Sequence, residues 1–284
     1  MSANVVPMYS PVEPPEAAAE AAPPRALLRL SGISKMFANE TVALEGVDLA
    51  IRSGEFLTLL GPSGCGKSTL LKIIAGLGAP TAGMIDWPRS SYDVHGEPDR
   101  LLGFVFQDPT LLPWRSVFDN VYLPLMLSGQ RKDAVRERIM EALAQVGLAR
   151  FAKAFPRELS GGMKMRVSIA RALVTNPRIL LMDEPFAALD EITRTKLNND
   201  LLQLFARQNL TVIFVTHSVY ESVYLSSRIV VMSARPGRIA SEIPIDVPFP
   251  RDEEFRTSAV YNDYCRRASQ ALRSAMAESP AEPG

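Results

Sequence analysis

Unbroken apolar runs alternate along the chain with segments whose apolar residues recur at helical spacing. A continuous apolar run is typical of a strand that is covered on both faces, as in a parallel sheet. Such runs occupy residues 56–60, 101–106, 178–182, 211–216 and 228–233. Helical segments are predicted at about 70–75, 132–146, 166–173, 187–208 and 257–276. The alternation predicts an α/β fold built on a parallel sheet.

Two further strands are predicted ahead of the first of these runs. Residues 27–37 end in an aromatic residue, and residues 43–51 alternate apolar with polar side chains. With a turn near Asn39 and Glu40 between them, they favour an antiparallel sheet beside the core. Later in the chain, residues 110–117 are apolar but interrupted by prolines. That segment is either an exposed docking surface, with Trp114 as its anchor, or a buried loop.

Composition limits the organisation of the chain. Its 284 residues suit one large α/β domain with an attachment. Residues 1–24 are rich in Pro, Ala and Glu and are predicted to be a disordered tail. The domain would span 25–245, followed by a helical C-terminal extension and tail over 246–284. The 31 basic and 31 acidic residues balance, so nothing in the charge suggests a nucleic-acid partner.

The two cysteines and the N-terminus indicate a reducing, cytosolic compartment. The N-terminus lacks the features of a signal peptide, and no apolar stretch is long enough to cross a bilayer. Any membrane role is therefore expected to come through a partner. Cys65, unlike Cys265, lies beside Lys67 and a predicted helix N-terminus, which predicts a lowered thiol pKa and fast alkylation that a ligand bound at this segment would prevent. The alternative is a buried, inert thiol.

The strongest chemical signal is the segment 61–69, Gly-Pro-Ser-Gly-Cys-Gly-Lys-Ser-Thr. It lies between a predicted strand and a predicted helix, which is the setting of a phosphate-binding loop. Its glycines let the backbone wrap a phosphate, and successive N–H groups at a helix N-terminus supply positive charge. Lys67 would reach the β- and γ-phosphates, and Ser68 would offer a hydroxyl to Mg²⁺. The segment predicts nucleotide binding.

Acidic and imidazole side chains are predicted at the same edge of the sheet. Asp183 and Glu184 follow one buried strand, and His217 follows another. Because ligands of an open parallel sheet bind at its carboxyl edge, Asp183 is placed to hold Mg²⁺ and Glu184 to polarise an attacking water. The alternatives are an acidic pair that caps a helix and a structural histidine. Given the phosphate loop, the metal and water roles are favoured for the acidic pair, and a contact with the γ-phosphate is favoured for His217.

Two other features have ordinary structural explanations. Ser160 would cap a helix, and Gly161 with Gly162 would leave its N-terminus bare for a ligand, but alone this is a common loop-to-helix junction. Phe37 could stack on an adenine, although a core position is the more frequent location of an aromatic residue.

In chain order these features resemble the ATP-binding subunit of ABC transporters over about residues 27–245. The matching motifs are Walker A at 61–68, the Q-loop at Gln107, the signature at 159–163, Walker B at 179–184, the D-loop at 187–190 and the H-loop at His217. Met163 replaces the usual glutamine of the signature, but Ser160 and both glycines remain. Residues 111–117, 160–166 and 183–194 are similar to the importer branch for nitrate, sulfonates and taurine.

The resemblance implies a P-loop NTPase of the RecA-like kind, with a parallel-sheet core, an antiparallel β subdomain and an inserted helical subdomain over about 108–175. It implies catalytic roles for Glu184, His217 and Lys67. The implied nucleotide contacts are Phe37, Gly61, Pro62, Ser63, Gly64, Cys65, Gly66, Lys67, Ser68, Thr69, Gln107, Ser160, Gly161, Gly162 and Asp190. The implied metal ligands are Ser68, Gln107 and Asp183.

The resemblance also implies the cofactors ATP and Mg²⁺ and a set of partners. In a head-to-tail homodimer, each ATP would lie between Walker A of one subunit and the signature of the other. Dimer closure would drive two transmembrane permease subunits, with a periplasmic or extracellular solute-binding protein as an indirect partner. The subunit would lie at the cytoplasmic face of the cell membrane and power uptake of a small solute.

Three other classes of protein share the phosphate loop. A P-loop kinase has no use for the signature or for a strand-end histidine. Soluble ABC proteins of translation carry two cassettes, and those of DNA repair carry long coiled coils between the motifs. An exporter subunit is disfavoured by the lack of a fused transmembrane segment and by the segment around Trp114.

Overall fold

The computed structural model describes residues 26–88, 102–208 and 210–277, so the tail predicted at 1–24 lies outside the described residues. The strands are β1 Ala26–Met36, β2 Val42–Arg52, β3 Phe56–Leu60, β4 Ala82–Asp86, β5 Leu102–Val105, β6 Ile179–Asp183, β7 Thr211–Thr216, β8 Arg228–Met232 and β9 Ile239–Pro244. The α-helices are α1 Lys67–Ile74, α2 Val117–Leu127, α3 Arg136–Gln145, α4 Gly161–Leu173, α5 Glu191–Gln208, α6 Val219–Leu225, α7 Glu253–Thr257 and α8 Ala259–Ala277.

The larger sheet carries the apolar runs of the sequence. Its strand order is β5-β6-β7-β3-β8-β9, in which the first five strands are parallel and β9 is antiparallel to β8. Every residue of β3, β6, β7 and β8 is buried, which explains why these strands are apolar without alternation. Because β6, β7 and β3 are neighbours, the segments that follow them meet at one edge.

The smaller sheet has the order β2-β1-β4 and is antiparallel throughout. The predicted pairing of its first two strands is confirmed. Strand β4 was not predicted, because residues 76–83 have the composition of a turn and β4 is mostly exposed. Its position depends on pairing with β1, and a Cβ on Gly83 would lie 2.5 Å from the carbonyl oxygen of Gly32. The α/β prediction, with its antiparallel part, is confirmed.

The helical region between β5 and β6 contains α2, α3 and α4. The apolar face predicted for the helix at 132–146 is buried, although α3 itself is shorter. Helix α2 was not predicted, because Pro124 lies inside it and obscures the pattern. The fully buried Asn120 donates to the carbonyl oxygens of Leu112, Arg115 and Ser116, and so fixes the preceding loop. That loop presents Trp114 with 72% of its surface exposed, so the buried-loop alternative is wrong for this side chain.

The C-terminal segment packs on the larger sheet rather than standing apart. Helix α8 corresponds to the helix predicted at 257–276 and contacts α6 and β8. The buried Arg251 donates to the carbonyl oxygens of Val223 and Tyr224 at the end of α6, and Phe249 and Phe255 pack against its guanidinium. Burial lowers the pKa of Arg251 to about 10.

Candidate nucleotide site

A cavity of about 680 Å³ opens at the edge where β3, β6 and β7 end. This volume lies within the range of small-molecule sites. Its lining includes nine of the predicted residues, namely Phe37, Ser63, Gly64, Gly66, Lys67, Ser68, Thr69, Gln107 and Glu184. Thr41, Val42, Ala43 and Arg235 complete the lining and were not predicted. Most of the predicted phosphate contacts therefore lie around one space.

The phosphate loop has the backbone that its glycines allow. Gly64 and Gly66 have φ values of 78° and 93°, in the left-handed region that favours glycine. Gly66 is the N-cap of α1 and provides no side-chain cap, so the helix N-terminus faces the cavity without one. Lys67 is 3% exposed, and its Nζ donates to the carbonyl oxygens of Gly61 and Pro62 at 2.8 Å each. The ammonium is thus held inside the loop.

Oxygen donors suited to a divalent cation lie next to this loop. Ser68 Oγ donates to Asp183 Oδ1 at 2.6 Å, and Gln107 lines the same cavity. Burial raises the pKa of Asp183, opposed by the Ser68 hydrogen bond and by Lys72. One carboxylate, one hydroxyl and one amide fit Mg²⁺, which keeps several waters and binds through few protein oxygens together with phosphates. Accordingly, the described residues contain no group of three His, Cys, Asp or Glu side chains that could hold a metal alone.

Glu184 joins the loop to the end of β7. Its Oε2 lies 2.9 Å from His217 Nδ1, and its Oε1 lies 3.8 Å from Lys67 Nζ. The backbone of Glu184 has a φ of 44°, a conformation that residues other than glycine seldom adopt and that recurs at functional sites. Asp190, rather than the acidic pair, caps α5, since its Oδ1 accepts from Thr193 N at 2.9 Å. The geometry therefore disfavours both structural alternatives for Glu184 and His217.

The signature residues lie elsewhere on the surface. Ser160 is exposed and caps α4, accepting from Met163 N at 3.3 Å. Neither residues 160–162 nor Asp190 belongs to the described lining of the cavity. The structure therefore does not bring these predicted contacts to the phosphate loop of the same chain. The side chain of Met163 packs against the core, which is a place for an apolar residue rather than an amide.

Two expectations need correction. Cys65 is 1% exposed, and burial raises its pKa despite Lys67, whose Nζ lies 3.8 Å from the Sγ. The predicted lowering of this pKa is wrong, because the side chain is buried and burial outweighs the effect of Lys67. Phe37 is 45% exposed at the cavity wall, so the core interpretation is wrong as well.

Comparisons with known proteins agree with this geometry. The ABC transporter family matches residues 44–187. The chain is 46% identical over 255 residues to an ABC transporter ATP-binding protein of Methanocaldococcus jannaschii, covering 89% of this chain and 93% of that one. It is 47% identical over 222 residues to an aliphatic sulfonates import ATP-binding protein of Bacillus licheniformis, covering 78% and 84%.

Solved structures show the same fold. A dimeric bacterial ABC transporter cassette superposes with a TM-score of 0.65 at 34% identity, over 78% of this chain and 100% of that chain. A component of an ABC transporter complex from Clostridium perfringens superposes with a TM-score of 0.70 at 28% identity, over 86% and 98%. The chain therefore belongs to the ABC transporter family, as an ATP-binding subunit and ATPase in the branch that includes the aliphatic sulfonate import proteins.

Proposed function

We propose that this chain is the ATP-hydrolysing subunit of an importer that takes up a small solute through separate permease subunits. The observation that carries the proposal is the meeting of the Lys67 loop, the Ser68–Asp183 pair and the Glu184–His217 pair at one edge of the sheet. Relatives named as sulfonate import proteins support the direction of transport.

The predicted residues at the cavity take roles in binding or proton transfer. The loop N–H groups and Lys67 hold the β- and γ-phosphates, and Phe37 stacks on the adenine. Ser68, Asp183 and Gln107 would hold Mg²⁺, which would neutralise phosphate charge when bound. The attacking water bonds to the γ-phosphorus while the bond from that phosphorus to the β–γ bridging oxygen breaks, so that ADP is the leaving group. Glu184 Oε1 or Oε2 accepts a proton from this water, and His217 orients the carboxylate through its hydrogen bond.

A second copy of the chain completes the site in this proposal. Ser160, Gly161 and Gly162 expose the N-terminus of α4, where backbone N–H groups favour an anion. Asp190 lies near them at the start of α5, since a Cβ on Gly162 would lie 2.6 Å from Thr193 Cγ2 in the first turn of that helix. A head-to-tail homodimer would place this surface over the phosphates of the partner, and a structural relative is dimeric.

The permease subunits would dock on the helical region at the cytoplasmic face of the membrane. No helix in the described ranges is long and apolar enough to cross a bilayer. A shallow groove of about 200 Å³ is lined by Phe104, Leu123, Pro124 and Leu127 among others, and Leu127 is 77% exposed. Trp114 and Leu127 are both exposed apolar side chains of the helical region, and exposed apolar surface of this kind marks protein interfaces. A solute-binding protein would act through the permease.

Replacement of Trp114 tests this docking surface. We expect Trp114→Ala to leave the ATPase activity of the isolated subunit unchanged, and to change the free energy of unfolding by less than about 0.5 kcal/mol because the side chain is exposed. Co-purification with the permease and solute uptake should both fall, since an exposed aromatic gains most by burial at an interface. Met84→Ala, which removes another exposed apolar side chain from the smaller sheet, is the matched control. Normal permease binding by Trp114→Ala would reject the proposed surface.

The transported solute is proposed to be a small anion or zwitterion such as a sulfonate, taurine or nitrate. Uptake of each labelled compound can be compared between cells with the intact chain and cells with Glu184→Gln. Loss of uptake of one compound would identify it, whereas accumulation of a compound in the variant cells would indicate export and contradict the proposal.

A further inference from the structure

The turn between β8 and β9, residues 233–238, lies directly against the phosphate loop. A Cβ on Gly237 would lie 2.1 Å from the carbonyl oxygen of Cys65, so only glycine allows this approach. Gly237 N donates to the carbonyl oxygen of Ala43, and Glu45 N donates to the carbonyl oxygen of Gly237, both at 3.1 Å. The turn therefore packs closely against the phosphate loop and is hydrogen-bonded to the start of β2. None of the motifs discussed above includes it.

Further hydrogen bonds fix the conformation of this turn. Ser233 N donates to the carbonyl oxygen of Arg238 at 2.9 Å, and Ser233 Oγ donates to that of Pro236 at 3.2 Å. Arg238 pairs with Glu45 at 2.7 Å, but both side chains are about half exposed, so this surface pair adds little to the position of the turn. The position of the backbone at Arg235 is thus determined by its neighbours. Arg235 itself has a positive φ of 23°, which the surrounding bonds maintain.

This backbone directs Arg235 into the cavity. Its side chain forms part of the lining, together with Ser63, Gly64 and Lys67. Its Nη2 lies 3.7 Å from the point that a Cβ on Gly64 would occupy, which places the guanidinium over the phosphate loop. A guanidinium is always charged and presents a planar set of donors that matches phosphate oxygens.

We propose that Arg235 binds the phosphate chain of the nucleotide. Its guanidinium would supply a second positive charge in addition to Lys67, from the β8–β9 turn and not from the phosphate loop itself. Lys67 is held inside the loop by two carbonyl oxygens, whereas Arg235 approaches from the β8–β9 turn. The inference rests on the proposed function, since it requires the nucleotide to occupy this cavity.

Binding measurements on three variants test this contact. Affinities for ADP and for a non-hydrolysable ATP analogue would be measured by titration calorimetry for wild type, Arg235→Gln, Arg235→Lys and Arg238→Gln. We expect Arg235→Gln to weaken the binding of both ligands roughly 5- to 30-fold, because it loses a charged hydrogen bond at a partly exposed site. Arg235→Lys should keep much of the affinity because it keeps the charge. Arg238→Gln removes an equal charge from the same turn and should bind like wild type.

Thermal unfolding with and without nucleotide shows whether Arg235 contacts the nucleotide or only stabilises the fold. Relative to its own melting temperature without nucleotide, Arg235→Gln should gain less stability than wild type when nucleotide is added. Wild-type affinity in Arg235→Gln, or an equal loss in Arg238→Gln, would overturn the inference. Lys67→Ala, measured in the same way, is the positive control for the site: if it loses binding while Arg235→Gln does not, the proposed function stands without the Arg235 contact. If the wild-type protein binds no nucleotide, both the proposed function and the Arg235 contact are rejected.

Discussion

The phosphate loop and the signature turn are both glycine-rich segments that precede a helix, yet the surroundings of the two segments differ. Around the phosphate loop, Lys67 and Asp183 are buried and bonded to their neighbours within the chain. At the signature, Ser160 and Gly161 are exposed and lie outside the described lining of that cavity. A helix N-terminus thus appears once inside a pocket, at α1 without a side-chain cap, and once on an open surface, at α4 with Ser160 as its cap.

The difference indicates that the two regions contribute different functions to the proposed site. The pocket holds every group that the proposed chemistry needs within one chain, namely a base, a cation, metal ligands and phosphate donors. The signature turn offers only N–H groups and a hydroxyl, which can contact an anion but cannot activate water. We infer that the first region determines the chemistry and the second determines when the site is complete.

The largest effect is expected from Glu184→Gln in the pocket. It removes the base but keeps the shape, the Lys67 loop and the Ser68–Asp183 pair. The rate of ATP hydrolysis should fall by about 10²–10⁴-fold, the usual contribution of a general base. Nucleotide binding should remain, and the variant should dimerise when ATP is added. The measurements are phosphate release, calorimetric titration and size-exclusion chromatography with and without ATP.

Glu137→Gln is a suitable control for this variant. It makes the same chemical change at an exposed carboxylate on α3, outside the described lining of the cavity. A comparable loss of hydrolysis in Glu137→Gln would show that the effect of Glu184→Gln is not specific to the pocket. Near-wild-type turnover of Glu184→Gln would contradict the role of Glu184 outright.

Thiol labelling compares the two helix N-termini directly. Cys65 is buried with a raised pKa, whereas Ser160→Cys would place a thiol at an exposed N-cap, where the pKa is lowered. Near neutral pH, we expect the thiol at position 160 to react with iodoacetamide at least about tenfold faster than Cys65. Labelling of Cys65 should increase as the pH rises, because its thiolate forms only above the ordinary thiol range.

Peptide mapping by mass spectrometry gives both labelling rates in one sample. The buried Cys265, whose pKa burial also raises, is an internal reference for a protected thiol. In denaturant the three thiols should react at similar rates. Fast labelling of Cys65 in the folded protein would contradict the packing of the loop described above.

The sequence was sufficient to predict the pocket because each of its parts is local. Lys67, Asp183 and His217 each lie next to an apolar strand, and the carboxyl ends of neighbouring parallel strands meet at one edge. The pKa of Cys65 was predicted in the wrong direction for the opposite reason. The charges near it are visible in the sequence, but its burial depends on which way the side chain points within the fold.

Features fixed by distant contacts could not be predicted. Strand β4 depends on pairing with β1, and α2 depends on the buried amide of Asn120, which offsets an internal proline. Arg235 reaches the cavity only because Gly237 packs on the carbonyl oxygen of Cys65. In the sequence it is one arginine in a Pro-Gly turn, a composition that is typical of an exposed loop.

The last prediction tests whether the two regions combine across subunits. Lys67→Ala should disable the pocket, and Gly161→Asp should repel phosphate from the signature. Gly161 is outside the left-handed region and a Cβ there would lie 3.4 Å from Leu189 Cδ2, so a side chain can be accommodated. Aspartate also suits the first turn of a helix. Each variant alone provides no intact composite site and should lose ATPase activity.

Co-expression of the two variants with different tags, followed by tandem purification, yields the mixed dimer. In a head-to-tail arrangement, one of its two sites pairs the intact pocket of the Gly161→Asp subunit with the intact signature of the Lys67→Ala subunit. ATPase activity should therefore return to about half of the wild-type value if the two sites act independently. If each chain contained a complete site, the mixed dimer would be as inactive as its parents, and the division of work between pocket and signature would be wrong.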